Sequence, residues 1–260
     1  MAEAISTPAK TITILGIPFF NGTIEAAITQ TIEGGLLLAP SGPGLAETDW
    51  NHSYYKALLS ADTVLIDSGL MALIWPLIGR QKLSRISGLR MLKALLANST
   101  FRTSRKHFWV MPSEAENKLN REYLASIGMH LTSDQCYNAP YYSDNDDVTD
   151  KNLLSLIEAQ KPRFVVINIA GGKQEILGAW LAQKLSYRPS IICTGAAIAF
   201  LTGEQAPIGD IDDRIYLGWL KRIIFEPKKY LGRYVKAFRL IPMLLRFREK
   251  SPTNNQPSTV

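Results

Sequence analysis

The sequence lacks most of the features that mark a secreted or metal-binding chain. Its 260 residues include only two cysteines, Cys136 and Cys193, which lie far apart and without metal-ligand spacing. We expect both thiols to be reduced and buried, as in a cytoplasmic protein, with no disulfide framework or zinc site. No apolar run is long enough to span a bilayer, and the polar segment 1–10 has no secretory signal.

Two common phosphate-binding motifs are also missing. The chain contains neither the Gly-x-x-x-x-Gly-Lys-Ser/Thr loop nor the Gly-x-Gly-x-x-Gly fingerprint. It has no recognisable nucleic-acid-binding motif, and few aromatic side chains are placed for base stacking. The net charge of +6 therefore predicts a partner other than nucleic acid.

That positive charge is concentrated near the carboxyl end of the chain. The segment 218–250 holds ten Lys or Arg residues against two acids, so the remainder is close to neutral. Within 234–250, basic residues alternate with apolar ones such as Leu240 and Leu244. This pattern predicts an amphipathic segment on an anionic bilayer, where each cation contributes about 1 kcal/mol. We divide the chain into a core (1–217), a basic appendage (218–250) and a disordered tail (251–260).

The length and composition favour one α/β domain with an appendage. Apolar content of 46% and charged content of 20% are ordinary for a globular protein. Short apolar runs alternate with amphipathic segments, which predicts a Rossmann-like, mostly parallel sheet flanked by helices. Predicted strands are 11–17, 36–39, 63–66, 107–111, 129–132, 164–169 and 190–193. Predicted helices are 23–33, 45–59, 70–78, 113–126 and 152–160, with a break at 18–22 and loops at 40–44 and 136–150.

An acidic residue at a strand end is the first candidate for chemistry. Asp67 directly follows the predicted strand 63–66, and Arg85 and Gly88 follow in a basic, turn-like segment. Open α/β sheets bind ligands beyond the carboxyl ends of their strands, so the pattern predicts a base beside an anion-binding cation. From the residues alone, the alternative is that Asp67 caps the next helix while Arg85 forms a surface ion pair.

A glycine turn after strand 164–169 is the second candidate. The order strand, Gly171-Gly172, helix lets backbone N–H groups approach phosphate oxygens at a helix N-terminus. The alternative is a charge pair between Lys173 and Glu175 at the start of the helix.

Three sequence blocks occur in a fixed order along the chain. The first is Asp67-Ser68-Gly69 with Arg85 and Gly88, and the second is Gly171 to Glu175. The third is basic and comprises Trp219 to Arg222, Glu226 to Lys229 and Arg233-Tyr234. Together they resemble the WecG/TagA/CpsF family of bacterial glycosyltransferases, whose motifs include Gly-x-x-Lys-Gln-Glu and a basic C-terminal segment. The resemblance spans about residues 11–236.

The resemblance implies an inverting, metal-independent transfer of a hexosyl or N-acetylhexosaminyl group from a UDP-sugar to a polyprenyl-diphosphate-linked saccharide. Such an enzyme would work at the inner face of the plasma membrane, with no metal or other cofactor; a homo-oligomer is left open. Asp67 is the expected base, Gln174 positions the sugar, and Arg85 pairs with phosphate. The expected substrate-binding residues are Ser41, Gly171, Gly172, Lys173, Glu175, Arg222, Lys229 and Arg233.

The sequence departs from the family pattern at three positions. Ala39 and Ser41 stand where the family carries Thr-x-Asn, and Gln205 stands where an Arg is usual. These changes leave the donor sugar open and favour, as the alternative, a membrane-docked scaffold without activity. Two acidic runs are compatible with a cation site, but solvated turns and helix caps are the preferred interpretation. These acids are Asp144, Asp146, Asp147 and Asp150, and Asp210, Asp212 and Asp213.

Overall fold

The computed structural model describes residues 10–48, 52–79, 81–143, 148–203, 232 and 235–252. Its strands form one sheet in the order β1-β2-β4-β3-β8-β7-β5-β6, in which only β1 and β2 pair antiparallel. The strands are β1 (Thr11–Ile14), β2 (Ile17–Phe20), β3 (Gly35–Leu38), β4 (Thr63–Val64), β5 (His107–Met111), β6 (Cys136–Asn138), β7 (Phe164–Ile167) and β8 (Ser190–Cys193). The prediction of a mostly parallel α/β sheet is confirmed.

Helices cover both faces of this sheet. They are α1 (Ile24–Glu33), α2 (Gly42–Leu45), α3 (His52–Ser60), α4 (Gly69–Gly79), α5 (Gly88–Ala97), α6 (Ser99–Arg102), α7 (Glu114–Ser126), α8 (Lys151–Gln160), α9 (Lys173–Lys184) and α10 (Leu240–Phe247), with 3₁₀ turns at Ser133–Gln135 and Ile198–Phe200. Alternate residues of β7 belong to different apolar clusters. Val165 belongs to a cluster that includes residues of α3, α4, α8, α9 and α10, whereas the cluster of Val166 includes residues of α1, α5, α6 and α7. Buried parallel strands are apolar on both faces for this reason.

The first strand ends earlier than its apolar run predicts. Leu15 and Gly16 form a two-residue turn with φ of 54° and 75°, and the chain returns as β2 through the predicted break. Leu15 tolerates this left-handed conformation because its carbonyl accepts from the Tyr55 hydroxyl at 2.9 Å and its N–H donates to the Arg248 carbonyl at 2.6 Å. The hairpin was missed because its turn depends on a tertiary contact with distant residues.

Four other predicted elements are wrong in place or extent. Segment 129–132 is not a strand; the edge strand is β6, inside the predicted loop, where Trp109 pairs with Cys136. A short, polar edge strand has no alternating apolar pattern to reveal it. The predicted helix 45–59 is divided between α2 and α3, and the predicted loop 40–44 contains most of α2.

The helix α10 belongs to the protein core. Leu240, Met243 and Leu244 are buried in the same cluster as β3 and β4, and α10 contacts both α2 and α4. Leu240 and Leu244 were predicted to face a bilayer, but in the structure they pack inside the protein. Most of the predicted appendage 218–250, and residues 253–260 of the predicted tail, lie outside the described residues.

The strand order creates a crevice at the carboxyl edge of the sheet. After β3 the chain leads to α2, whose Leu45 packs on one face of the sheet, whereas after β8 it leads to the 3₁₀ turn Ile198–Phe200, whose Ile198 packs on the other face. Connections that diverge from neighbouring strands leave a gap beyond their carboxyl ends, and such gaps bind ligands in open α/β sheets. The segments that follow β3, β4, β7 and β8 surround this gap.

Candidate active site

Asp67 lies half-buried just beyond β4, at the carboxyl edge of the sheet. Its Oδ1 accepts from the N–H of Gly88, the first residue of α5, at 3.0 Å, and Arg85 Nε donates to its main-chain carbonyl at 2.8 Å. Ser68, rather than Asp67, accepts from the Met71 N–H in the first turn of α4, at 3.2 Å. The carboxylate therefore faces the start of α5, across the crevice from its own helix.

Gly88 brings three strand ends together. A Cβ on Gly88 would lie 2.7 Å from the carbonyl oxygen of Thr194, beyond β8, and 3.4 Å from the Cβ of Ala39, beyond β3. Only a glycine allows this close approach, because the nearest atom is backbone and cannot rotate away. Asp67, Ala39 and Thr194 are thus held around one point.

The turn before α9 is organised by two buried side chains. Glu175 is 1% exposed, and its Oε2 accepts from the Gly172 N–H at 2.7 Å. Gln174 is also 1% exposed; its Nε2 donates to Glu175 Oε1 at 3.1 Å, and its Oε1 accepts from the Gly195 N–H at 2.8 Å. Gln174 consequently ties the start of α9 to the turn after β8, and the Gly172 N–H is engaged by the protein's own carboxylate.

The remaining predicted residues of this turn have different surroundings. Gly171 is exposed, and Gly172 has a φ of +93°, a conformation that favours glycine. Lys173 Nζ donates to the carbonyl of Ser143, in the segment between β6 and α8. Lys173 and Glu175 therefore each form a hydrogen bond with a backbone group. The predicted alternative, a charge pair between these two side chains, did not include these bonds.

Ser41 begins the helix that follows β3. It is half-buried, and its hydroxyl accepts from the Gly44 N–H at 3.4 Å, so it acts as the N-cap of α2. A Cβ on Gly42 would lie 2.9 Å from Ser68 Oγ, which places this cap beside the end of β4. Ser41 thus lies near the end of β4, and its hydroxyl oxygen caps α2; its predicted role in substrate binding stays a prediction.

Two polar residues that sequence reasoning missed follow β7 and β8 directly. Asn168 is 2% exposed and Thr194 is 6% exposed. Asn168 Oδ1 and Thr194 Oγ1 are buried and have no hydrogen-bond partner among the described residues. Buried polar atoms are normally paired, so these two are candidates to meet a ligand at the carboxyl edge. The sequence pattern that could have identified Asn168 and Thr194 is the one used for Asp67, a polar residue directly after a buried strand.

The Cys193 thiol, which is buried, and the Tyr142 hydroxyl, which is half-buried, both have a raised pKa. Burial, followed by the charge of Glu175, raises the pKa of the Cys193 thiol well above its usual range, so it is a poor nucleophile. Both cysteines are free thiols, as predicted, although Cys136 is only partly buried. The pKa of the Tyr142 hydroxyl is raised by burial and by its hydrogen bond to Asp150.

Asp150 has a structural role in the predicted acidic loop. Its carboxylate accepts from the hydroxyls of Tyr137 and Tyr142, both at 2.8 Å, and from the Leu153 N–H at 2.9 Å, which caps α8. Among the described residues, no three His, Cys, Asp or Glu side chains are grouped to hold a metal ion. The other predicted acids lie outside the described residues: Asp144, Asp146, Asp147, Asp210, Asp212 and Asp213.

The predicted basic residues of the third block, Arg222, Lys229 and Arg233, lie outside the described residues, as does Gln205. Over the part of the chain that the structure describes, no helix has the length and apolar character needed to cross a bilayer.

The comparison with protein families gives an independent result. No curated protein matches this sequence closely enough to count as a relative. The model of the family described as "Glycosyl transferase WecG/TagA/CpsF family" matches residues 12–255, nearly the whole chain. The match includes the segments that carry Asp67, Arg85 and Gln174, which surround the carboxyl-edge crevice. This chain therefore belongs to the WecG/TagA/CpsF family of glycosyl transferases.

Proposed function

We propose that this protein is an inverting, metal-independent glycosyltransferase of cell-surface polysaccharide synthesis. It moves a hexosyl or N-acetylhexosaminyl group from a UDP-sugar to a saccharide carried on polyprenyl diphosphate, at the inner face of the plasma membrane. One observation carries the proposal: the half-buried carboxylate of Asp67 is held at the carboxyl-edge crevice by the Gly88 N–H. Family membership supplies the reaction class.

Asp67 acts as the base in this proposal. The acceptor hydroxyl attacks the anomeric carbon on the face opposite the UDP, and its proton passes to the Asp67 carboxylate. The bond between the anomeric carbon and the diphosphate oxygen breaks, and its electron pair leaves with UDP, which inverts the anomeric centre. Holding the carboxylate in place before the substrate arrives removes a reorganisation cost from this step.

Stabilisation of the departing diphosphate is assigned to cations. Arg85 lies at the crevice, where its Nε already binds the Asp67 carbonyl at 2.8 Å, so the guanidinium is directed along the end of β4. Arginine pairs well with phosphate oxygens because its planar donors match their spacing. Arg222, Lys229 and Arg233 complete the charge in the proposal.

Gln174 positions the donor sugar through the backbone it holds. Both ends of its amide are engaged, by Gly195 and by Glu175, and it is almost fully buried. The amide therefore fixes the turn after β8, next to the Thr194 hydroxyl, which has no hydrogen-bond partner within the described part of the chain. We assign Glu175 a positioning role behind Gln174, since its carboxylate is turned to the protein.

The proposed membrane contact uses a face formed by α4 and the end of α10. Leu73 and Leu77 lie four residues apart on α4 and are 43% and 79% exposed, and Leu245 of α10 is 52% exposed. Leu77 lines the same surface cavity as Arg246, Arg248 and Lys250. Exposed apolar side chains beside clustered cations complement an anionic lipid surface.

The chemistry is tested by measuring UDP release from a panel of UDP-sugars, with detergent-solubilised lipid-diphosphate acceptors and EDTA. Wild type is compared with Asp67→Asn and with a control, Glu122→Gln, at an exposed carboxylate of α7. Release in EDTA that falls at least about a hundredfold only in Asp67→Asn supports a metal-independent base mechanism. Release that requires added metal contradicts metal independence, and full activity of Asp67→Asn contradicts the base assignment.

The membrane contact is tested by sedimentation with vesicles that contain anionic lipid. The double variant Leu73→Glu, Leu77→Glu is compared with Leu59→Glu, Leu156→Glu, which alters two exposed leucines on α3 and α8, away from this face. Binding lost only in the first variant supports the α4 and α10 face. Equal binding of both variants contradicts it. Vesicle binding that persists without UDP release from any donor favours the scaffold alternative.

A further inference from the structure

A second cavity lies at the opposite edge of the sheet from Asp67. It has a volume of about 830 Å³ and is walled by residues from 102–107, 128–135 and 160–162. These segments lead into the amino ends of β5, β6 and β7, whereas the proposed transfer site lies beyond carboxyl ends. Its size is within the range of small-molecule sites, roughly 300–1,000 Å³.

The cavity walls are strongly basic. Arg102, Arg105 and Lys106 are exposed around it, and none of the three forms an ion pair with another described residue. His130 also lines the cavity, and Asp134 is the acid among its lining residues. Three fixed charges at one concave site attract an anion more strongly than the same charges on an open surface, because the field is focused.

The backbone that carries these cations is already fixed. Gln135 Nε2 donates to the Arg105 carbonyl at 2.8 Å, and the Phe164 N–H donates to the Lys106 carbonyl at 3.1 Å. The Lys106 N–H donates in turn to Ser104 Oγ at 3.2 Å. A ligand therefore orders only side chains on binding, which lowers the entropic cost.

His107 forms part of the cavity floor. It lines the cavity but is only 2% exposed, and its Nε2 lies 2.8 Å from the Phe101 carbonyl. Burial lowers the pKa of this imidazole, so the ring adds no fixed charge to that of Arg102, Arg105 and Lys106.

We propose that this amino-edge cavity binds a small molecule that carries two or more phosphate charges. Arg102, Arg105 and Lys106 bind the phosphates. The proposal goes beyond sugar transfer, because none of these residues belongs to the carboxyl-edge site. It requires no covalent step.

Pyrophosphate is the probe, and backbone amide chemical shifts report where it binds on the full chain. We expect saturable shifts in residues 102–107 and 129–135, distinct from any shifts at Gly172 and Gly195 in the proposed transfer site. In the triple variant Arg102→Ala, Arg105→Ala, Lys106→Ala, the dissociation constant measured at these amides should rise at least about tenfold.

The control variant removes the same charge elsewhere. Lys56→Ala, Lys151→Ala, Lys184→Ala alters three exposed lysines of α3, α8 and α9 that do not line the cavity. Retention of the wild-type dissociation constant in this control supports a specific site. An equal loss in both triple variants, or wild-type shifts confined to the carboxyl edge, overturns the proposal while leaving the transfer function untouched.

Discussion

A charged replacement of Gln174 tests how the site is built. Gln174→Glu keeps the size of the side chain and the acceptor for the Gly195 N–H, but replaces the donor that faces Glu175. The two groups are 3.1 Å apart, and both residues are 1% exposed. Two ionised carboxylates at this distance repel by about 5 kcal/mol at an effective dielectric constant of about 20. We therefore expect the folded variant to keep one of these two carboxyl groups protonated.

The cost of retaining that proton depends on pH. For a glutamic acid side chain, whose pKa in an unfolded chain is about 4.3, it is about 4 kcal/mol at pH 7 and about 1 kcal/mol at pH 5. Because the folded protein holds a proton that the unfolded chain releases, stability relative to wild type is lost as the pH rises. At about 3 °C per kcal/mol, the melting temperature should be lower by roughly 10 °C at pH 7 and a few degrees at pH 5.

The assay is thermal unfolding of wild type and variant at pH 5, 6 and 7, followed by circular dichroism. Gln174→Met is the matched control, since it has a similar volume and no charge. Gln174→Met removes the partner of the Gly195 N–H and of one Glu175 oxygen, and each loss should lower the free energy of unfolding by about 1–3 kcal/mol. Because methionine carries no charge, this loss of stability should not change with pH. A deficit in Gln174→Glu that is the same at pH 5 and pH 7 would refute the buried amide–carboxylate contact.

Four further substitutions test the core and the proposed site. Leu244→Ala should lower the free energy of unfolding by about 2–5 kcal/mol, whereas Leu245→Ala, at the adjacent exposed position, should change it by less than about 0.5 kcal/mol; urea denaturation measures both. Gly88→Ala should destabilise by about 1–3 kcal/mol and lower turnover, because its methyl group would meet a backbone carbonyl at 2.7 Å; normal turnover would contradict the close approach. Thr194→Val should leave the melting temperature nearly unchanged but weaken UDP-sugar binding in calorimetry, since its buried hydroxyl has no partner among the described residues; unchanged binding would contradict its role.

The sequence is informative about the sheet because its signals are local. The strands β5 and β8 have the predicted bounds, since a buried parallel strand is a short, continuous apolar run between turns. Asp67 was located at a strand end by the same reasoning. The hairpin turn at Leu15 and the edge strand β6 depend on partners far along the chain, and no local pattern specifies them.

Side-chain roles were harder to predict than positions. Glu175 was predicted to bind substrate, yet its carboxylate accepts from Gly172 and Gln174 within the same turn. The partner of Gln174 Oε1 is the N–H of Gly195, and that pairing exists only because β7 and β8 are neighbours. The cations of the amino-edge cavity are likewise brought together with 128–135 by the pairing of β5 and β6.

The structure shows how Ala39, one of the three departures from the family pattern, fits its surroundings. This residue is 6% exposed and bonded to β8, since its N–H donates to the Cys193 carbonyl at 3.1 Å. Its methyl group occupies the space beside Gly88, where a Cβ would come within 3.4 Å. The small side chain thus fits a crevice in which Gly88 and Thr194 already make close contact, and it leaves no unpaired polar group of its own. The contact between the Asp67 carboxylate and the Gly88 N–H is intact with Ala39 in place, which supports the proposal of an active transferase over the scaffold alternative.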